Sequence, residues 1–311
     1  MLPLRIQLFG GLRLSRGDEA LPSFPTQKAR DLFSFLALNP ARRYPRDVLM
    51  GRFCGDAPER VARKNLRNDL WRIRTVVEPS GVERGWCLQV EGDEVAFNAG
   101  EGHWVDVAAF ERKLDAAGPD RGEPLTPEVA GALREAVALY GGDLLDGVYD
   151  DWCLFERERL RLRYVTALER LMRHHGQRGD WADAALHGQR LLACDPLREH
   201  VHRDLMRFYA RMGDPAAALR QFGTCQRLLR VELEVEPARE TTALRDEIRA
   251  GAHRPSAAST TEPGVPHADL LDRLADVARL LDDVVLQLRR ITRAIEHEAD
   301  PALPAGTVPL A

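Results

Sequence analysis

The sequence is short of several things, and each shortage closes a class of function. No apolar run reaches the roughly 18 residues a membrane span needs. The start, Met1-Leu2-Pro3-Leu4-Arg5, has neither the charged beginning nor the long apolar stretch of a signal peptide. Only five cysteines occur (Cys54, Cys87, Cys153, Cys194, Cys225), scattered and odd in number, with no C-x-x-C pair. That pattern predicts reduced thiols packed as small core residues in a cytoplasmic protein. There is no G-x-x-x-x-G-K-[ST] phosphate loop and no G-x-S-x-G nucleophile turn, so two common enzyme classes drop out. His200 and His202 stand two apart and face different ways on a helix, and His174-His175 are adjacent, so neither pair has metal-ligand spacing. Asp143, Asp146, Asp150 and Asp151 beside a Gly-rich turn read as solvated loop and cap carboxylates. No catalytic residue, cofactor or metal is expected. Net charge is also missing: the 311-residue chain carries only −4, so any nucleic-acid contact has to come from a local basic patch.

What is present divides the chain into five stretches. Residues 1–105 read as a small α+β domain. Leu4 to Phe9 alternates, Gly10-Gly11 turns the chain, and Leu12-Arg13-Leu14 alternates again, which is a hairpin pattern. Pro25 to Leu38 predicts a helix started by Pro25, with Ala29, Leu32, Phe33 and Leu36 on one face. Pro45 to Phe53 predicts a second helix with Val48 and Leu49 inward, and Pro58 to Val77 a third. Trp86–Val90 and Glu94–Phe97 form a second hairpin across Glu91-Gly92-Asp93. Two helices, a third basic one and a hairpin are the order of a winged helix.

Residues 106–250 predict an all-α domain of tetratricopeptide-like repeats. Gly179-Asp180-x-Ala182 returns 34 residues later as Gly213-Asp214-x-Ala216, and Leu171-Met172 returns as Leu205-Met206. Thirty-four is the period of a tetratricopeptide helix pair. Trp152 and Trp181 are expected as packing anchors inside these repeats. Residues 251–266 have no apolar period and read as a flexible linker. Residues 267–298 carry a heptad seam, with Leu274, Leu281, Leu288 and Ile295 at a and Leu270, Val277, Val284 and Ile291 at d. Such a stripe needs a partner: a coiled coil with further copies of the chain, or the chain's own repeat domain. Residues 299–311 read as a disordered tail.

The third helix bears the chemistry. Ala62, Leu66, Leu70, Ile73 and Val77 form its apolar stripe, and Arg60, Lys64, Asn68, Trp71 and Thr75 point away from it, with Arg63, Arg67 and Arg74 on one flank. Thr26 to Val76 holds twelve Lys and Arg against five Asp and Glu, an excess of seven. One α-helix fits the major groove, where Arg, Lys and Asn match base-edge acceptors and donors while flanking cations neutralise phosphates. Candidate DNA-contacting residues are therefore Arg60, Arg63, Lys64, Arg67, Asn68, Trp71, Arg72 and Arg74. The hairpin tip is acidic (Glu91, Asp93, Glu94), unlike a wing made for phosphates, so Arg84 is the candidate backbone contact instead.

The chain resembles the Streptomyces antibiotic regulatory protein type of transcriptional activator over roughly residues 2–250. The resemblance rests on Leu4-Arg-Ile-Gln-Leu-Phe-Gly-Gly-Leu12, Gln27-Lys-Ala-Arg30, Ala62-Arg63, Leu66, Arg72-Ile-Arg74 and Gly85-Trp86. In the second domain it rests on Ala138-Leu-Tyr-Gly-Gly-Asp-Leu-Leu145, Glu156-Arg-Glu-Arg-Leu160, Asp195-Pro-Leu-Arg-Glu199 and Glu232-Leu-Glu-Val-Glu-Pro237. It implies an OmpR-type winged helix followed by a bacterial transcriptional activator domain. It also implies specific binding to direct repeats near promoters, and contact with RNA polymerase through Gly55-Asp56-Ala57. The terminal heptad helix lies outside the shared region. A competing reading keeps the repeats as an adaptor whose N-terminal domain docks protein. Steep salt dependence and sequence preference in DNA binding separate the two.

Overall fold

The computed structural model describes residues 3–251, apart from 41, 56, 79–82, 84, 99 and 101. The linker, the heptad seam from Leu270 to Ile295 and the tail lie outside the described residues.

The chain opens with β1 (Leu4–Gln7), β2 (Arg13–Arg16) and β3 (Glu19–Ala20), then α1 (Gln27–Leu38), β4 (Tyr44–Pro45), α2 (Arg46–Phe53) and α3 (Glu59–Val77). The second hairpin follows as β5 (Leu88–Glu91) and β6 (Glu94–Phe97), and β7 (His103–Val105) leads straight into α4 (Asp106–Ala117). The rest is helical: α5 (Pro127–Leu139), α6 (Asp151–Arg178), α7 (Trp181–Cys194), α8 (Glu199–Arg211), α9 (Pro215–Leu233) and α10 (Arg239–Arg249).

The first sheet has the order β3-β2-β1-β7. β1 and β2 are antiparallel, with Ile6 opposite Leu14, and β1 and β7 are parallel, with Ile6 opposite Val105. The second sheet has the order β4-β6-β5, so the wing hairpin gains a short third strand from the segment before α2. The two-residue strands β3 and β4 and the three-residue β7 are too short to show a period, which is why sequence pattern does not reveal them.

Three local expectations are corrected. Thr26, not Pro25, caps α1: its Oγ1 accepts the Ala29 N–H at 3.3 Å, as an N-cap hydroxyl does. In the short helix α2 Leu49 and Met50 are buried while Val48 is 47% exposed, since a helix turns by 100° per residue and the core spans only one side. Trp152 is not an anchor of the repeats: it packs edge-on against Phe35 of α1 and Phe53 of α2, at centroid distances of 5.3 and 6.3 Å.

The 34-residue repeat exists in the backbone. Gly179 and Gly213 close α6 and α8 with left-handed φ values of 82° and 81°, and Leu171, Met172, Leu205 and Met206 are all buried. Trp181 packs within this region, against Phe208.

The two halves are joined without slack. The buried Asp106 carboxylate, at the start of α4, accepts the backbone N–H groups of Leu8, Phe9 and Val107 at 2.7–3.0 Å. Past β1, the Gly10 N–H donates to the Asp143 carbonyl and the Leu145 N–H to the Leu8 carbonyl, each at 2.8 Å. Gly10 and Gly142 meet there: a Cβ on Gly142 would stand 3.3 Å from the Gly10 Cα, and one on Gly10 would stand 3.2 Å from the Gly141 carbonyl. The two Gly-Gly pairs of the sequence therefore make a single contact, between the end of β1 and the turn after α5.

Candidate nucleic-acid interface

Helix α3 is held on three sides and open on the fourth. Its inward stripe (Ala62, Leu66, Leu70, Ile73, Val77) is buried throughout, as the spacing predicts. Two charged residues add direction to this apolar attachment. Asp69 is buried on the side toward α1, where it accepts the Thr26 hydroxyl at 3.3 Å and the Arg72 guanidinium at 2.9 Å. The α1 cap and the middle of α3 are thus tied together. At the far end, Glu78 accepts the N–H groups of Cys87 and Leu88, and Arg74 donates to the Leu88 carbonyl at 2.9 Å while lying 3.6 Å from Glu78. The wing root is bolted to the end of α3. Arg16 of β2 closes the same corner by donating to the Val77 carbonyl and lying over the Trp86 ring.

These contacts sort the sequence-derived candidates. Arg60, Lys64, Arg67 and Trp71 are brought together on the exposed side, with Thr75 ending the row. The row spans roughly 22 Å at 1.5 Å per residue. Arg63 is exposed on the flank and paired with Glu59 at 2.9 Å. Asn68 is half-buried at the edge. Arg72 and Arg74 are turned to protein, the first to Asp69 and the second to the wing. Gly55 and Ala57 flank the α2–α3 corner, Gly55 with a left-handed φ of 59°. Asp56 and Arg84 lie outside the described residues. The exposed row contains no carboxylate, because Asp69 faces inward and Glu59 sits beside Arg63.

The acidic wing tip has a local answer that sequence reasoning misses. Arg43 donates to Glu91 at 2.7 Å, and Arg46 stands 3.8 Å from Asp93 while its N–H donates to the Asp93 carbonyl at 2.8 Å. Arg43 holds the Glu91 carboxyl below its ordinary range. Both pairs lie at the surface, although Arg46 is half-buried, and add little stability, but they offset two of the three tip carboxylates. The partners are nearly fifty residues apart, so only the β4–β6 pairing brings them together. Lys28, exposed near the start of α1, is a further cation absent from the candidate set. Its charge acts on the Cys54 thiol at the α2–α3 corner, although burial still pushes that thiol up.

Among the described residues no group of three or more His, Cys, Asp or Glu could hold a metal ion, and no helix is long and apolar enough to cross a membrane. What the site offers is a rigid cationic row with one exposed indole.

The family model described as bacterial transcriptional activator domain matches residues 105–249. The regulatory protein AfsR of Streptomyces griseus is 29% identical over 251 residues, covering 79% of this chain and 24% of that protein. AfsR of Streptomyces coelicolor is 29% identical over 234 residues, covering 75% and 23%. The chain thus spans about a quarter of the length of these relatives. Among solved structures, Mycobacterium tuberculosis EmbR in complex with a low affinity phosphopeptide superposes with a TM-score of 0.61 at 18% identity, covering 91% of this chain and 72% of that one. That likeness is one of fold.

Proposed function

The chain belongs to the regulators of the Streptomyces antibiotic regulatory protein type, and from that premise we propose that it binds promoter DNA through α3 and regulates transcription, as an activator. The observation that carries this reading is the exposed row Arg60, Lys64, Arg67, Trp71 on a helix whose opposite face is buried. Such a row fits the major groove, with its cations reaching phosphates and base edges. Arg63 and Asn68 flank the row. Arg72 and Arg74 act indirectly, by fixing α3 to α1 and to the wing. The wing, its tip partly neutralised by Arg43 and Arg46, lies along the backbone, where Arg84 adds a contact. The duplex carries direct repeats, and copies of the chain assemble through the heptad seam from Leu270 to Ile295. RNA polymerase meets the corner at Gly55, Asp56 and Ala57. The activity needs no cofactor or metal, and it belongs to the cytoplasm.

The test is a titration of a promoter duplex followed by fluorescence anisotropy across a salt series. With three row cations neutralising phosphates, affinity should fall by about 40-fold between 50 and 200 mM salt. Arg67→Ala should cost roughly 1–3 kcal/mol and relax one base position if Arg67 reads a base, or lower the salt slope by about 1 if it meets a phosphate. Equal affinity for every duplex tested, with a flat salt response, would remove specific recognition and leave the adaptor reading.

A further inference from the structure

Trp71 has no packing explanation. It is 67% exposed, in the middle of the cationic row. Among the described residues the other four tryptophans each have a ring or cation partner. Trp86 meets His103 at a tilt and lies under Arg16, Trp104 lies under Arg5, Trp152 meets Phe35, and Trp181 stacks on Phe208. Trp71 has neither kind. Its one-turn neighbours on the row are Arg67 and Thr75, and the Thr75 hydroxyl donates back to the Trp71 carbonyl rather than toward the indole.

We propose that Trp71 is a specificity-determining residue that reads the C5-methyl group of a thymine in the major groove. This deepens the DNA-binding reading above and rests on it. The chemistry narrows the choice. An indole offers one N–H donor and a broad apolar face, so it cannot make the two-pronged contacts by which Arg selects guanine or Asn selects adenine. The thymine methyl is the apolar group that base edges present in the major groove. Contact there would cover a face that is otherwise wet, and an aromatic side chain anchors such contacts with few rotatable bonds to fix. Four residues of helix separate Arg67 from Trp71, about 6 Å of rise, so the thymine lies about two base steps from the base pair nearest Arg67.

The test uses the full chain and a duplex chosen by selection from random sequence. Each thymine of that duplex is replaced in turn by deoxyuridine, which deletes the methyl and keeps the pairing. One or two replacements should weaken wild-type binding about fourfold, the worth of one buried methyl. Trp71→Ala should bind the intact duplex four- to tenfold more weakly and be indifferent to those same replacements, while Trp71→Phe keeps part of the sensitivity. Circular dichroism and the melting temperature of Trp71→Ala should stay close to wild type, because the residue is 67% exposed and has no ring or cation partner among the described residues.

If Trp71→Ala binds as well as wild type, or binds more weakly but still discriminates deoxyuridine as wild type does, the thymine contact is overturned and the DNA-binding reading stands. Uniform wild-type indifference to deoxyuridine overturns it equally. If selection yields no preferred duplex for wild type, both readings fall together.

Discussion

His187 shows how a single buried residue sets a response of the whole fold. It lies on α7 with its ring 5.5 Å from His175 at an interplanar angle of 22°, and its Nδ1 has no hydrogen-bond partner among the described residues. Burial, with the nearby His175 and Arg190 charges, pulls its pKa from 6.5 down to about 4. A base whose folded pKa is depressed binds its proton more readily once unfolded. Its contribution is therefore complete above pH 6.5 and is lost as pH falls toward 4, to a total of roughly 3 kcal/mol. His103, His174 and His202 are lowered by burial in the same direction. Urea unfolding at pH 7, 5.5 and 4 should show stability falling with acid, and His187→Phe should flatten that fall whatever it does to stability at pH 7. An unchanged pH slope in the variant would show that His187 is not the sensor.

At the scale of elements, α3 has a face buried against the core and wing and a face left exposed. The inward stripe of α3 is legible in the sequence because a 19-residue amphipathic helix repeats its period several times. The exposed row follows from the same period. What the period does not reveal is which basic residues are engaged by protein. Arg72 and Arg74 have the composition of DNA contacts, yet their partners are a buried carboxylate on α3 and a wing carbonyl 14 residues away. The wing-tip neutralisation by Arg43 and Arg46 depends on a two-residue strand and is hidden for the same reason. This separates two arginines of one helix by experiment. Arg74→Ala leaves the largely covered Glu78 side chain without its cation and should lower stability by roughly 1–3 kcal/mol while keeping the salt slope of DNA binding. Arg67→Ala should do the reverse, with an unchanged melting temperature and altered binding. Thermal melts and salt titrations of the two variants, run side by side, check the division, and a matched loss of stability in both would refute it.

For the whole molecule the question is whether α3 is presented by a rigid body or by a domain on a hinge. The repeats and the winged helix are legible separately, from the 34-residue offset and from the order of helices and hairpin. Their junction is not, since it depends on residues scattered from Leu8 to Trp152. The sequence divides between residues 105 and 106, and there β7 pairs with β1 and becomes α4 with no intervening loop. Asp106 fastens three backbone N–H groups, the Gly10–Gly142 contact is tight for any Cβ, and Trp152 fills the space between α6 and the pair Phe35 and Phe53. One continuous apolar core runs from Leu4 through this seam into α8. Removing the indole opens a cavity at a place where neither half can collapse alone, so Trp152→Ala should cost roughly 3–5 kcal/mol. Because the seam is what couples the halves, the loss should take a particular form. Wild type should unfold through residues 3–251 in one calorimetric transition, whereas the variant should show an earlier event reported by the winged-helix tryptophans, separated from melting of the repeats. A variant that keeps a single transition at the wild-type temperature would mean that α3 hangs from the repeats by its sheet alone, and that the aromatic seam has no part in presenting it.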